Sequence, residues 1–167
     1  MIPETTIIIY TDGSCNPSYQ IGGWASIIFI NGEKIVLTGI ESGVTHHQME
    51  LHAVINSIKH LEMSMNLRNV PCNIYTDSQY VVGLEKRKEK LKTANFLTDK
   101  KVAIRNNEPV RCLIKYMDIY RLHFTKVQAH QKNNGSENYN REVDMLIRKE
   151  MRKAVGQIAL HRQQTYS

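Results

Sequence analysis

Two aspartates end the same tripeptide in two separate apolar segments of the chain. Asp12 closes Tyr10-Thr11-Asp12, Asp77 closes Tyr75-Thr76-Asp77, and a small residue follows each of them. A carboxylate at the end of a buried strand lies at the rim of the sheet, where open α/β folds place their sites. Because like charges do not gather cheaply, a bound cation is the usual reason for such a pair. The repeat therefore predicts a cation-binding carboxylate pair at one edge of a sheet.

Three further residues are candidates for the same site, although each candidate also has an ordinary structural explanation. Glu50 suits a solvated helix face, Asp144 suits the positive end of a helix dipole, and His130 lies in a polar loop. The Asp-Gly dipeptide at Asp12 is common in turns, and Asp77 could cap a helix with its carboxylate. The joint arrangement, rather than any single residue, favours a catalytic site.

The segments that must position these residues predict an α/β domain. A two-residue Asn31-Gly32 turn favours a hairpin between the second and third strands, because such turns need positive φ. The first strand is expected to stop in a turn at Asp12. Strands are predicted at residues 6–11, 23–30, 34–40, 72–76 and 123–129.

Helical periodicity appears between the later strands. An apolar stripe at spacings of three and four residues predicts a helix of about four turns, formed by Leu51, Val54, Ile55, Ile58 and Leu61. Thr45 is its expected N-cap. Further helices are predicted from about Gln79, over residues 108–122 and over residues 143–154. This order predicts a five-stranded mixed sheet, with an antiparallel meander of strands 1-2-3 and parallel strands reached through helical crossovers.

Composition and charge set the broad class of the protein. The chain has 167 residues and a net charge of +6, which suits one domain and an acidic partner. We expect a single domain over residues 1–167, with a core at about 5–156 and a polar tail at about 157–167. Three cysteines without metal-binding spacing indicate free thiols in a reducing compartment. No targeting segment or membrane span is apparent, so a cytoplasmic location is expected. A monomer is also expected.

The motifs resemble those of the type 1 ribonuclease H family over roughly residues 7–154. Four blocks carry the resemblance in the expected order. They are Tyr10 to Pro17 with Gly22 to Ala25; Thr45 to Ala53; Ile74 to Val81; and Val127 to His130 with Asn140 to Asp144. The resemblance implies a ribonuclease H-like fold and an endonuclease that hydrolyses the RNA strand of RNA–DNA hybrids.

The resemblance also implies the catalytic residues. Asp12, Glu50, Asp77 and Asp144 match the family's metal-binding carboxylates, and His130 matches a loop histidine that shuttles protons or aids product release. Oxygen ligands suit two Mg²⁺ ions, for which Mn²⁺ can substitute. The implied products carry 5′-phosphate and 3′-hydroxyl ends.

By the same resemblance, substrate contacts in the minor groove of the hybrid fall to Asn16, His46, His47 and Gln79, where 2′-hydroxyls distinguish RNA from DNA. Thr45 matches a threonine that grips a phosphate of the DNA strand. The family commonly has asparagine at the two histidine positions, and polar residues solvating a helix start are an alternative interpretation. The basic stretch at 86–92 lies where many family members carry a basic protrusion that grips the hybrid, but it lacks the tryptophans often found there. The alternative interpretation is a solvated charged helix.

Two other functions remain open from the sequence. One is a nuclease of the same fold that acts on DNA, and the other is a non-catalytic module that binds RNA–DNA hybrids. The second class is expected to have lost at least one carboxylate, whereas this chain retains all four.

Overall fold

The computed structural model of the chain describes residues 5–128 and 138–165. In chain order, its elements are β1 (Ile7–Asn16), β2 (Ile21–Ile30), β3 (Glu33–Ser42), α1 (His46–Ser64), β4 (Cys72–Thr76), α2 (Gln79–Thr93), α3 (Asn107–Ile119), β5 (Leu122–Lys126) and α4 (Tyr139–Thr165). The strands form one sheet in the order β3-β2-β1-β4-β5. The β1–β2 and β2–β3 pairs are antiparallel, and the β1–β4 and β4–β5 pairs are parallel. The predicted five-stranded mixed sheet is confirmed.

Both faces of the sheet are covered. Helix α1 packs on β1 and β2 and also contacts α2 and α3, whereas α4 packs on β1, β2 and β3. Adjacent residues of β2 point to opposite faces, as the pleat requires. Ile28 is therefore buried in the larger hydrophobic cluster with α1, and Ile27 is buried in the smaller cluster with α4.

Two local signals in the sequence give the structures that they predict. Asn31 and Gly32 have φ values of 51° and 80° and connect β2 to β3 as a two-residue hairpin turn. Thr45 caps α1 in a capping box, in which its hydroxyl accepts from the Gln48 backbone N–H at 3.3 Å. The Gln48 side chain in turn accepts from the Thr45 N–H at 2.8 Å.

The expectation that the first strand ends in a turn at Asp12 is wrong. Strand β1 continues to Asn16, and Asp12 pairs with Ala25 of β2 inside the ladder. The adjacent Gly13 lies within the strand rather than in a turn. A Cβ on Gly13 would lie 2.4 Å from the backbone nitrogen of Glu50, so the absence of a side chain lets α1 approach β1 closely.

The remaining boundaries differ modestly from the sequence-based ones. Helix α4 continues past the expected start of a polar tail at 157 as far as Thr165, and Ile158 packs against the smaller cluster. The charged stretch at 86–92 is helical and lies within α2. Among the described helices, none combines the length and apolar character needed to cross a membrane.

Candidate active site

Asp12 lies among other acidic side chains at the centre of the site. Burial raises the pKa of its carboxyl from 3.8 to about 7, and the charges of Asp77 and Asp144 add to this effect. The Gly13 N–H, which donates to Asp12 Oδ1 at 2.7 Å, acts in the opposite direction. The structure thus brings three of the four predicted carboxylates near enough to interact, in a setting that disfavours the unpaired Asp12 charge.

The side chain of Glu50 is only 7% exposed. The alternative interpretation of Glu50 as a solvated residue on a helix surface is therefore wrong. His46 Nε2 lies 3.0 Å from Oε1, His47 Nδ1 lies 3.1 Å from Oε2, and the Ser78 hydroxyl donates to Oε2 at 2.5 Å. Burial raises the pKa of Glu50, but the hydrogen bonds from His46, Ser78 and His47 outweigh burial and leave the pKa below its ordinary value. Both oxygens of Glu50 are therefore held by neighbouring side chains.

Asp77 directly follows β4, beside β1, as the repeated tripeptide predicts. The alternative explanation that Asp77 caps the following helix is wrong. Ser78 is the N-cap of α2, and its hydroxyl accepts from the Val81 N–H at 3.1 Å. The same hydroxyl joins the cap to Glu50, so Ser78 links the third sequence block to the second. Its position immediately after Asp77 was the available signal for this role.

Asp144 lies in the second turn of α4 and forms an ion pair with Arg148 of the same helix. Arg148 Nε donates to Oδ1 at 3.0 Å, and the second guanidinium nitrogen lies 3.0 Å from Oδ2. Such a bidentate contact fixes the plane of the carboxylate. The Asp144–Arg148 pair was not predicted from the sequence, although the spacing of four residues along a helix was a usable signal.

The candidate metal ligands are carboxylates, and Asp77 and Asp144 lie near enough to Asp12 to raise its pKa. Carboxylate oxygens are the ligands that hard divalent cations prefer. Within residues 5–128 and 138–165, no three His, Cys, Asp or Glu side chains converge closely enough to hold a metal ion in their present positions. Glu50 is bonded to its histidines and Asp144 to Arg148. These contacts leave further lone pairs on both carboxylates for a cation.

The predicted substrate-contacting residues lie at the ends of elements around this site. Thr45, His46 and His47 are exposed at the start of α1, and Gln79 is exposed at the start of α2. Asn16 ends β1 and accepts from the Tyr19 N–H at 3.3 Å. His130 lies outside the described residues.

Part of the basic stretch in α2 is already paired within the protein. Lys88 and Lys92 each place their ammonium nitrogen 2.8 Å from a carboxylate oxygen of Asp118 in α3. These two lysines tie α2 to α3, whereas Lys86 and Lys90 are exposed.

Comparisons with known proteins agree with this architecture. The family model described as RNase H matches residues 4–152. A ribonuclease H of Wolbachia pipientis wMel is 36% identical over 144 residues, which cover 86% of this chain and 93% of that protein. A ribonuclease H of Caldicellulosiruptor saccharolyticus is 32% identical over 153 residues, which cover 87% and 98% of the two proteins.

Solved structures share the fold at lower sequence identity. LC9-RNase H1, a type 1 RNase H with the type 2 active-site motif, matches with a TM-score of 0.70 at 19% identity, over 87% of this chain and 72% of that chain. A foamy viral protease-reverse transcriptase, solved in complex with dsDNA, matches with a TM-score of 0.69 at 19% identity, over 89% and 97%. These structures show the shared fold, and the family model and the sequence relatives show that the chain belongs to the ribonuclease H family.

Proposed function

We propose that this enzyme hydrolyses the RNA strand of RNA–DNA hybrids with two divalent ions held by Asp12, Glu50, Asp77 and Asp144. Family membership gives the reaction itself, because the relatives that cover most of the chain are ribonucleases H. The observation that supports the residue assignment is the raised pKa of Asp12 beside Asp77 and Asp144. Clustered carboxylates of this kind become favourable when a cation offsets their repulsion.

Each residue has a proposed task in this mechanism. Bound Mg²⁺ or Mn²⁺ supplies activation of the attacking water and stabilisation of the leaving oxygen, giving 5′-phosphate and 3′-hydroxyl ends. Asp12 and Asp77 would hold the ions from neighbouring strands, and Asp144 would complete the set from α4. Glu50 is oriented by the side chains bonded to both of its oxygens. His130 would carry protons or help the product to leave.

Substrate choice is proposed to depend on the exposed residues around the carboxylates. Asn16, Gln79 and the histidine pair would contact the minor groove, and Thr45 would contact a phosphate of the DNA strand. The hydrogen bonds of His46 and His47 to Glu50 support a second task for these histidines, which is to orient that carboxylate. We also propose a single domain over residues 1–167 and a monomer, and the free cysteines support a cytoplasmic location.

The test is cleavage of a labelled RNA–DNA hybrid with Mg²⁺, Mn²⁺ or EDTA. Duplex DNA and the labelled single strand serve as parallel substrates, and Asp77→Asn is compared with the wild type. Asp99→Asn is the matched control, since it removes an exposed carboxylate from a turn outside the site. We expect metal-dependent cutting of the RNA strand by the wild type and Asp99→Asn, and none by Asp77→Asn.

Two results would redirect the assignment. Cutting of duplex DNA at a similar rate would indicate a DNA-acting nuclease of the same fold. Binding of the hybrid without cutting, with either metal, would indicate a non-catalytic binding module.

A further inference from the structure

Four aromatic rings form a layer on the face of the sheet that α4 covers. This aromatic layer consists of Tyr10, Phe29, Tyr75 and Tyr139. Tyr10 and Tyr75 stack with centroids 5.0 Å apart and planes 18° apart. Tyr139 lies 5.2 Å from the Tyr10 centroid and 4.6 Å from the Phe29 centroid. Rings from three strands and one helix therefore form a single contact cluster.

The aromatic layer lies next to the carboxylates along the chain. Tyr10 precedes Asp12 by two residues in β1, so both side chains point to the same face of the sheet. Tyr75 pairs with Tyr10 in the parallel register and precedes Asp77 by two residues. The Tyr10–Tyr75 stack thus sits at the junction of the two strands that carry these aspartates.

Tyr139 is the contribution of α4 to this layer. It begins the helix and lies five residues before Asp144. Lys34 of β3 contacts the same turn twice, since its ammonium lies 2.6 Å from Glu142 Oε1 and 5.6 Å from the Tyr139 ring centroid. The first turn of α4 is therefore held to the sheet by a ring contact and an ion pair.

We propose that Tyr139 is a positioning residue for the metal-binding carboxylates. Its ring sets how the first turn of α4 rests on the sheet, and through the rigid helix it sets where Asp144 stands relative to Asp12. The inference rests on the proposed function, because it concerns the same four carboxylates. Removing a residue that orients the metal ligands commonly lowers metal affinity about 10- to 100-fold.

General core packing is the competing explanation, and α4 contains a matched control for it. Ile158 packs against the same smaller hydrophobic cluster but lies near the far end of the helix from Asp144. A packing defect at Ile158 should lower stability without moving the carboxylates. A defect at Tyr139 should do both.

The test measures Mg²⁺ binding to the free protein by calorimetry, and separately the Mg²⁺ concentration for half-maximal cleavage. We expect Tyr139→Leu to raise the Mg²⁺ Kd roughly tenfold, and Tyr139→Phe, which keeps the ring, to stay within about twofold. Ile158→Ala should lower the melting temperature and leave the Kd unchanged. If Tyr139→Leu does not fold, Lys34→Met tests the same attachment, with an expected rise in the Mg²⁺ Kd.

The outcomes separate the two proposals. A wild-type Kd in Tyr139→Leu, or an equal loss of affinity in Ile158→Ala, would overturn the positioning role alone. A wild-type protein that binds no Mg²⁺ would overturn the proposed metal chemistry, and the positioning role with it.

Discussion

Replacing Asp12 by asparagine should stabilise the metal-free protein while abolishing its activity. The folded carboxyl has a pKa of about 7, against 3.8 for an ordinary aspartate, mainly because of burial and the charge of Asp77. Folding therefore takes up a proton between these two pH values. Stability is lost as pH rises through this window, and the loss is complete above it.

The size of the effect follows from the shift in pKa. A difference of about 3 pKa units corresponds to about 4 kcal/mol. The free energy of unfolding of the wild type is therefore about 4 kcal/mol lower at about pH 8 than at a pH below 3.8. At about pH 5 the loss is roughly 1.5 kcal/mol, since most of the window lies above that pH. Asparagine carries no charge, and its side-chain oxygen can still accept from the Gly13 N–H that Asp12 Oδ1 now binds.

Urea unfolding in EDTA at these two pH values measures the prediction. Asp12→Asn should exceed the wild type by about 4 kcal/mol at about pH 8, and the gain should fall by more than half at about pH 5. Asp99→Asn, the exposed control, should show no such gain. Adding Mg²⁺ should narrow the difference, because the ion stabilises the folded wild type by mass action. An Asp12→Asn protein that is no more stable than the wild type at about pH 8 would refute the reasoning.

Two substitutions outside the carboxylates test the packing beneath them by thermal or urea unfolding. Gly13→Ala should destabilise the fold by about 3 kcal/mol or more, because the added Cβ would lie 2.4 Å from the Glu50 backbone nitrogen; near-normal stability would show that α1 can move away from β1 easily. Ser26→Ala should stabilise the fold by about 1 kcal/mol, because the buried Ser26 hydroxyl has no hydrogen-bond partner among the described residues. A loss of stability in Ser26→Ala would indicate that a buried water satisfies this hydroxyl.

Local structures that depend on only a few neighbouring residues were predictable from the sequence. The Asn31-Gly32 turn and the Thr45 cap depend on backbone conformation and on hydrogen bonds to near neighbours, and both are confirmed. The mixed sheet, with its antiparallel meander of strands 1-2-3 and its parallel strands, followed from the alternation of periodicities and the preference for helical crossovers between parallel strands. These features needed no knowledge of which surfaces meet.

Features that depend on contacts between distant segments were missed or misassigned. Gly13 looked like half of a turn dipeptide, whereas its lack of a side chain serves the approach of α1. The histidines at 46 and 47 were predicted to contact the substrate or to solvate a helix start, and their bonds to Glu50 were not predicted. The ring of Tyr139 contacts Tyr10 of β1 and Phe29 of β2, which are remote from it in sequence, and no local pattern predicts these contacts.

The central claim is that four carboxylates support RNA-strand hydrolysis together, and a rate measurement tests it directly. The cleavage rate of an RNA–DNA hybrid at saturating Mg²⁺ should be compared for Asp12→Asn, Glu50→Gln, Asp77→Asn, Asp144→Asn and the wild type. Each substitution should lower the rate at least about a hundredfold, because several kcal/mol of transition-state stabilisation depend on the ions. Any of the four variants that cuts the RNA strand at the wild-type rate would contradict the assignment of its carboxylate to the catalytic set.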